Sequence, residues 1–309
     1  MTLQDLGFIL GTTLMYATPL IYAALGGVIS ENAGVVNIGL EGMMTVGAFA
    51  ASAVACYTGN PYLSFFCGGL VGGFFGLIHA LLSITFRANQ TISGVAINFL
   101  APGLSLFLCR KLFNGAAMTH TIQLHEKLPK YLANVFEERS FLHQVFNQDI
   151  GVYLAILMVI VMWFVLYRTR FGLRVRAIGE HPRAADTLGI KVFRYRYICV
   201  IASGFLAGLG GGTLSIGVSS TFFNNTVCGQ GFIAMAAMIF GKWKPHGALW
   251  ACLVFGAANA LVVFFGYPGR LNISSGLLSM TPYVLTLLIL LFVGRSSAPA
   301  ADGIPYEKA

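Results

Sequence analysis

The chain has 309 residues, of which 57% are hydrophobic and only 10% are charged, and its mean hydropathy is +0.77. Soluble domains carry about a quarter charged residues, so this composition excludes an ordinary soluble protein and indicates a chain embedded in a bilayer. The 37 glycines agree, because membrane helices use glycine for close backbone contact.

Nineteen Lys and Arg against eleven Asp and Glu give a formal net charge of +8. Eight of those cations fall in the segment 168–196, so the excess is interpreted as a loop charge that sets membrane orientation. We therefore expect no nucleic-acid partner. The six cysteines are scattered singly and are interpreted as small buried hydrophobes.

Nine apolar stretches are long enough, or nearly long enough, to cross a bilayer. The sequence therefore predicts an all-α integral membrane protein with about nine transmembrane helices and broken central helices. Two of the stretches are short and are expected to be broken or sunk in protein. The nine are 7–29, 39–57, 63–85, 92–109, 150–167, 197–219, the short 228–241, 246–266 and the short 281–294.

The basic segment 168–196 predicts the orientation. Placing it in the cytoplasm puts thirteen of the nineteen Lys and Arg inside, with the N-terminus outside and the C-terminus inside. In a transmembrane domain of residues 1–295, the segment 112–149 is then an extracytoplasmic loop with short interfacial helices. Residues 296–309 are expected to form a short disordered cytoplasmic tail.

A weak internal repeat relates the two halves of the chain. The pattern Phe75-Gly76, Ala80-Leu81 and Pro102 returns 180 positions later with the same internal spacing. Because the two copies run in opposite directions in the predicted orientation, the sequence predicts an inverted repeat, which is a recurrent transporter architecture.

The connection 30–44 between the first two spans is unusually polar. It contains two carboxylates, two amides and three glycines, where a helical hairpin needs only a short turn. A charge near the membrane midplane is costly unless it is paired or hydrated, so Glu41 is a functional candidate, together with Asn37 nearby. Two interpretations stay open. Glu41 lines a solute path, or it hydrogen-bonds a neighbouring helix end and fixes this segment.

A similar, less charged pattern at Gly229–Ala234 precedes a helix of small residues. If the halves are related, Gln230 takes the position of Glu41 and both flank one central path. The alternative is that the glycines only permit tight packing. Two amides inside spans either bind a polar solute or join two helices, and the second is favoured. The substrate-path candidates are Asn37, Glu41, Asn98, Gln230 and Asn259.

The basic segment also contains a helix signal. Pro182 suits a first helical position, Ala184 and Ala185 favour helix, and Gly189 suits its end. The sequence predicts a helix of about two turns outside the membrane, which is too short to be stable alone and is expected to dock on another surface. The alternative is a basic loop held on anionic lipid headgroups.

No catalytic or metal-binding motif is recognisable. Gly241-Lys242 is followed by Trp243 and lacks the upstream glycine of a P-loop, while His120 and His125 lack partners at metal spacing. We expect a chain that is not an enzyme, binds no ATP and holds no metal. His79, on an otherwise apolar helix, is interpreted as a structural histidine.

Several blocks of sequence carry a family resemblance. They are Ala17–Leu20 leading to Ala24–Gly27, then Glu31–Met44, Thr169–Ile190, Gly229–Ala234 and Ile239–Pro245. With these blocks in order over nearly the whole chain, the sequence resembles the membrane permease subunits of ATP-binding cassette (ABC) importers in the branched-chain amino acid, ribose and simple sugar group. The nucleoside and simple sugar branch is the most similar, and the loop 112–149 carries no part of the resemblance.

The resemblance implies that Glu180–Ile190 is a coupling helix seated in a separate cytoplasmic ABC ATPase, which binds ATP and magnesium. The coupling residues it implies are Glu180, His181, Pro182, Arg183, Ala184, Ala185, Asp186 and Gly189. It also implies a second permease subunit, often a different homologous chain, an extracytoplasmic solute-binding protein, and a place in the bacterial cytoplasmic (inner) membrane. The solute would be a nucleoside or a related simple sugar.

Two functions from other classes remain as alternatives. An ion-coupled secondary transporter of small polar solutes would work alone, with Glu41 as its single candidate acid, and would leave the docking helix unexplained. A membrane-embedded enzyme is disfavoured, since no nucleophile and base lie at a recognisable spacing.

Overall fold

The computed structural model describes residues 2–132, 135–137, 140–266 and 298–307, together with the single positions 277, 280, 281, 284, 286 and 287. Over these residues the chain forms α-helices and connecting turns, with one isolated bridge between Met118 and Phe223. The all-α prediction is confirmed for this part of the chain. The helices are α1 Leu3–Glu31, α2 Leu40–Thr58, α3 Pro61–Ala80, α4 Gln90–Leu112, α5 Phe141–Phe146, α6 Ile150–Arg168, α7 Arg170–Glu180, α8 Pro182–Thr187, α9 Val192–Gly212, α10 Gln230–Phe240 and α11 Pro245–Phe265.

In the described part of the chain, seven helices are long and apolar enough to cross a membrane. They are α1, α2, α3 with a π-helical extension to Thr85, α4, α6, α9 with a similar extension to Ser219, and α11. The short predicted segment 228–241 corresponds to α10, which has 11 residues. Most of the predicted segment 281–294 lies outside the described residues, as does Pro282 of the repeat. The count of nine and the inverted repeat therefore stay predictions.

The backbones of α3 and α9 touch directly. Gly68, Gly72 and Gly76 recur every fourth residue on α3 and meet Gly204 and Gly208 of α9. A Cβ on Gly72 would lie 2.4 Å from the carbonyl oxygen of Gly204, so a larger residue requires the helices to separate. Small residues at such contacts drive helix association in lipid, where the hydrophobic effect between helices is lost.

The segment 168–196 folds as two helices before α9 begins. The helix predicted after Pro182 is confirmed as α8, with Pro182 at its first position and Gly189 beyond its end at a φ of +79°, where glycine is favoured. The preceding helix α7 was not predicted, because its buried face, including Val175 and Ile178, is interrupted by arginines. We call the side of the molecule that carries α7 and α8 the α8 end.

Residues 298–307 are folded onto the α8 end, in contrast to the disordered tail that was expected. The Ala301 N–H donates to the Gly179 carbonyl at 2.8 Å. Arg196 Nη1 donates to the Ile304 carbonyl at 3.2 Å, and the Tyr306 side chain is buried. Since Arg196 is itself 2% exposed, the tail helps to cover a buried guanidinium.

At the opposite end, the segment 112–149 contains a 3-10 turn at Leu124–Glu126 and the helix α5. These confirm the prediction of short helices in this loop. α5 lies against the first half of α1, where a Cβ on Gly11 would be 2.2 Å from the Gln144 carbonyl oxygen. The loop is thereby attached to the helix bundle.

Candidate transport site

The break between α1 and α2, residues 32–39, is irregular backbone buried in the bundle. Such backbone is tolerated at membrane depth only where protein satisfies its polar groups. Gln90 Oε1 accepts from the Val36 N–H at 2.8 Å, and His79 Nε2 donates to the Val36 carbonyl at 2.9 Å. His79 Nδ1 lies 2.9 Å from Ser93 Oγ. The interpretation of His79 as a structural histidine is confirmed.

Two amides complete the support of this break. Asn98 Nδ2 donates to the Ile38 carbonyl at 2.9 Å, and Asn98 Oδ1 accepts from the Gly42 N–H at 2.8 Å. Asn37 is fully buried, and its Nδ2 donates to Ser203 Oγ of α9 at 2.9 Å. Asn98 therefore joins α4 to the start of α2, as the favoured interpretation of the in-span amides describes.

Glu41, in the first turn of α2, binds the beginning of α10. Its Oε1 accepts from the Gly229 N–H and its Oε2 from the Gly231 N–H, both at 2.7 Å. These donors belong to the N-terminal end of a helix, where the backbone dipole favours a negative charge. The contact matches the helix-end alternative for Glu41, and it brings Glu41 and Gln230 together.

Glycine is required at this contact for two separate reasons. Gly229 has a φ of +84°, which only glycine adopts readily. A Cβ on Gly231 would lie 2.5 Å from Glu41 Cα, so a side chain there would push α10 away from α2. The local sequence Gly229-Gln230-Gly231 thus allows a carboxylate to approach the helix end closely.

The other end of α10 is bound by a second carboxylate that sequence reasoning did not single out. After α10 the chain turns through Lys242 and Trp243, both with positive φ. This brings Trp243 Nε1 onto Glu31 Oε2 at the end of α1. Asn32 Nδ2 also donates to the Trp243 carbonyl at 3.1 Å. The family resemblance contained both residues, but no local pattern indicated that they meet.

The connection 30–44 thus binds both ends of the short helix α10, and two buried side-chain oxygens are available as hydrogen-bond acceptors. Asn37 Oδ1 and Gln230 Oε1 are buried and have no hydrogen-bond partner among the described residues. Four of the five path candidates, Asn37, Glu41, Asn98 and Gln230, therefore surround the break and the start of α10. Asn259 lies half-buried on α11, and no described contact joins it to the others.

The predicted coupling residues lie together at the α8 end. Glu180 ends α7, His181 separates the two helices, and α8 carries the next five, from Pro182 to Asp186. Ala185 faces inward among Ile178 and Tyr306, whereas Arg183 and Ala184 are exposed. One face of α8 is thus fixed by packing and the other is open to a partner.

Comparison with known proteins shows the family of this chain. Residues 9–294 match the family described as branched-chain amino acid transport system / permease component. The chain is 46% identical over 315 residues to the guanosine ABC transporter permease protein NupQ of Bacillus subtilis, with 99% of this chain and 98% of that protein covered.

Two permeases of Lactococcus lactis are also similar. The chain is 41% identical over 316 residues to its nucleoside ABC transporter permease protein NupC, covering 99% of this chain and 98% of that protein. It is 26% identical over 294 residues to NupB, covering 92% and 78% respectively. The resemblance drawn from the sequence blocks is confirmed, and the chain belongs to the permease-component family of branched-chain amino acid transport systems.

Proposed function

We propose that the chain is the transmembrane permease subunit of an ABC importer and forms the translocation path for a nucleoside. The observation that carries this proposal is the full-length similarity to permeases named for guanosine and nucleoside transport. A simple sugar is the neighbouring candidate solute. The chain would work in the cytoplasmic membrane of a bacterium, with its N-terminus outside and its C-terminus inside.

The break 32–39 and the start of α10 support a path at this place. A nucleoside is uncharged and presents hydroxyl and N–H donors, so it needs acceptors more than it needs ions. The oxygens of Asn37 and Gln230, which have no hydrogen-bond partner in the described part of the chain, would provide such acceptors. Asn98, whose amide already joins α4 to the start of α2, and Asn259 would be further amides of the path. Glu41 would hold the start of α10 as a wall of this path.

The exposed face of α8 is the proposed contact for a separate ATPase, which would bind ATP and magnesium. A second permease subunit and an extracytoplasmic solute-binding protein would complete the assembly. ATP would drive transport only if the ATPase binds the two access states of the permease with different affinity. α8 is suited to that role because its inner face is fixed to the bundle through Ala185.

The ion-coupled alternative needs a central acid that is free to bind an ion. Glu41 is the candidate, and both of its oxygens already accept backbone N–H groups. We therefore favour the ATP-driven importer.

Reconstitution in liposomes separates the two functions. We expect uptake of guanosine or other nucleosides only when the chain is combined with its ATPase, second permease and binding protein, and only with ATP. The same panel should include pentoses. Uptake by the chain alone under a proton or sodium gradient would instead identify a secondary transporter.

Substitutions on α8 test directly whether this helix couples ATP hydrolysis to uptake. Reversing the charge at Arg183 and enlarging Ala184, as Arg183→Glu with Ala184→Trp, should lower uptake more than tenfold while ATP hydrolysis continues. Both residues lie on the exposed face of α8, so these substitutions would disturb the proposed contact with the ATPase. Arg170→Glu makes the same charge change on α7 and should leave uptake within about twofold. Normal uptake by the α8 variant would remove the coupling assignment.

A further inference from the structure

A basic cavity opens at the α8 end between α7 and the start of α9. It has a volume of about 490 Å³ and is lined by Arg174, Lys191 and Arg194. No carboxylate of the described residues lines it, and its other walls include Phe171 and Ile198. The cavity combines concentrated positive charge with apolar surface, and the proposed transport path does not use it.

The lining of this cavity changes from basic to apolar along one face of α9. Lys191, Arg194 and Ile198 are spaced three and four residues apart, so they follow each other on one side of the helix. The cations lie where the membrane-spanning segment begins, at Val192. Ile198 lies further in and is 43% exposed, so in a bilayer it contacts hydrocarbon. A basic region followed by an apolar surface matches an amphiphile that has an anionic headgroup and an apolar tail.

Arg174 is held in place before any ligand binds. Its Nη1 donates to the Tyr195 hydroxyl at 2.7 Å, and its Cζ lies 6.0 Å from the centre of the same ring. A guanidinium has five N–H donors in a planar fork that matches phosphate oxygens. With one donor used by Tyr195, the others remain for a ligand, and orienting the side chain in advance reduces the entropy lost on binding.

We propose that this cavity binds an anionic phospholipid of the adjacent leaflet, with its phosphate among Arg174, Lys191 and Arg194 and an acyl chain along Ile198. A soluble phosphate would satisfy the cations but would leave the apolar wall uncovered. The bound lipid would join α7 to α9, the two helices that flank α8. The proposal stands independently of which solute is transported.

Native mass spectrometry of the full-length chain, released from nanodiscs of mixed phosphatidylglycerol and phosphatidylcholine, tests the site. We expect wild type to retain phosphatidylglycerol. Arg174→Gln with Arg194→Gln should weaken that retention about thirtyfold, from the attraction that two basic residues exert on anionic lipid. Arg110→Gln with Lys111→Gln removes two exposed cations at the opposite end of the bundle and should leave retention unchanged.

A third variant keeps the charge and changes only the apolar wall. Ile198→Trp should fill the acyl groove and lower phosphatidylglycerol retention, and it keeps the test decisive if the double variant fails to fold. Equal retention of phosphatidylcholine, or an equal loss in the Arg110 and Lys111 control, would overturn the proposal as general surface attraction. So would displacement by inorganic phosphate at fixed ionic strength, which would identify a soluble anion, or displacement by the ATPase, which would identify a protein contact.

Discussion

The two ends of α10 are held by carboxylates from the same connection, but through different chemistry. At its beginning, Glu41 accepts two bonds from the backbone N–H groups of Gly229 and Gly231. Beyond its end, Glu31 accepts from the indole of Trp243. The first contact uses two backbone donors, whereas the second uses one side-chain donor, supported by the Asn32 amide on the Trp243 carbonyl. The beginning of α10 is therefore the fixed end and the Trp243 end is the adjustable one.

The adjustable end is also the one that is connected to α8. A Cβ on Gly179, near the end of α7, would lie 2.2 Å from the Asn32 carbonyl oxygen, so these backbones touch. Asn32 in turn donates to the Trp243 carbonyl. A displacement of α7 and α8 would thus be transmitted through Asn32 to the Trp243 end of α10. It would move the Glu41 end only if α10 moves as a whole.

The largest expected effect comes from removing the carboxylate at the fixed end. Glu41→Leu leaves two N–H groups without an acceptor and should cost about 3–6 kcal/mol, at 1.5–3 kcal/mol for each bond to a charged group. Thermal unfolding and purified yield measure this. Glu307→Leu, which breaks the exposed pair with Arg87, is the control and should cost at most about 1 kcal/mol.

Glu41→Gln separates folding from transport. One amide oxygen can still accept, so the chain should assemble while nucleoside uptake falls more than tenfold. If uptake per folded molecule stays at the wild-type level and only the yield falls, Glu41 has a structural role alone.

An intermediate effect is expected at the adjustable end. Trp243→Phe keeps an aromatic ring, although a smaller one, and removes the donor to Glu31, at a cost of about 1.5–3 kcal/mol. We expect a lower unfolding temperature and uptake that is reduced relative to ATP hydrolysis, because α10 is then less firmly joined to α1. Trp250→Phe is the matched control, since Trp250 is 67% exposed. Equal effects of the two substitutions would show that the indole bond contributes nothing specific.

The sequence predicted the helices better than the contacts between their ends. Composition and apolar length predicted the seven long apolar helices of the described residues, and Pro182 with Gly189 predicted α8, because those signals are local. A carboxylate between two spans marked Glu41 as a candidate. The contacts at the two ends of α10 could not be predicted. Trp243 and Glu31 are 212 residues apart, and no local pattern encodes which helix ends meet.

The tail was mispredicted for a related reason. The segment 296–309 is short and rich in small residues, which is typical of a free terminus. The order of its described part, residues 298–307, comes from partners elsewhere in the chain, among them the Gly179 carbonyl and the buried Arg196. A segment that is stabilised by distant groups carries little local signal of its own.

The smallest expected effect concerns the tail beside Glu31 at the adjustable end. Burial raises the pKa of Asp302 to about 7, against the opposing charge of Arg196. Among the described residues, Glu31 also acts on Asp302. The folded state thus binds a proton that the unfolded tail releases near pH 4. The stability that this proton contributes is fully present below pH 4 and is lost as the pH rises through about 7.

Hydrogen exchange of residues 300–307, corrected for intrinsic rates, measures this stability. Between pH 6 and pH 8 the equilibrium constant for opening of the tail should rise about tenfold, because the folded tail loses its extra proton as Asp302 titrates. Asp302→Asn cannot titrate and should remove that dependence, while Asp186→Asn on α8 should keep it. If the tail exchanges equally at both pH values in wild type, Asp302 does not titrate in this range.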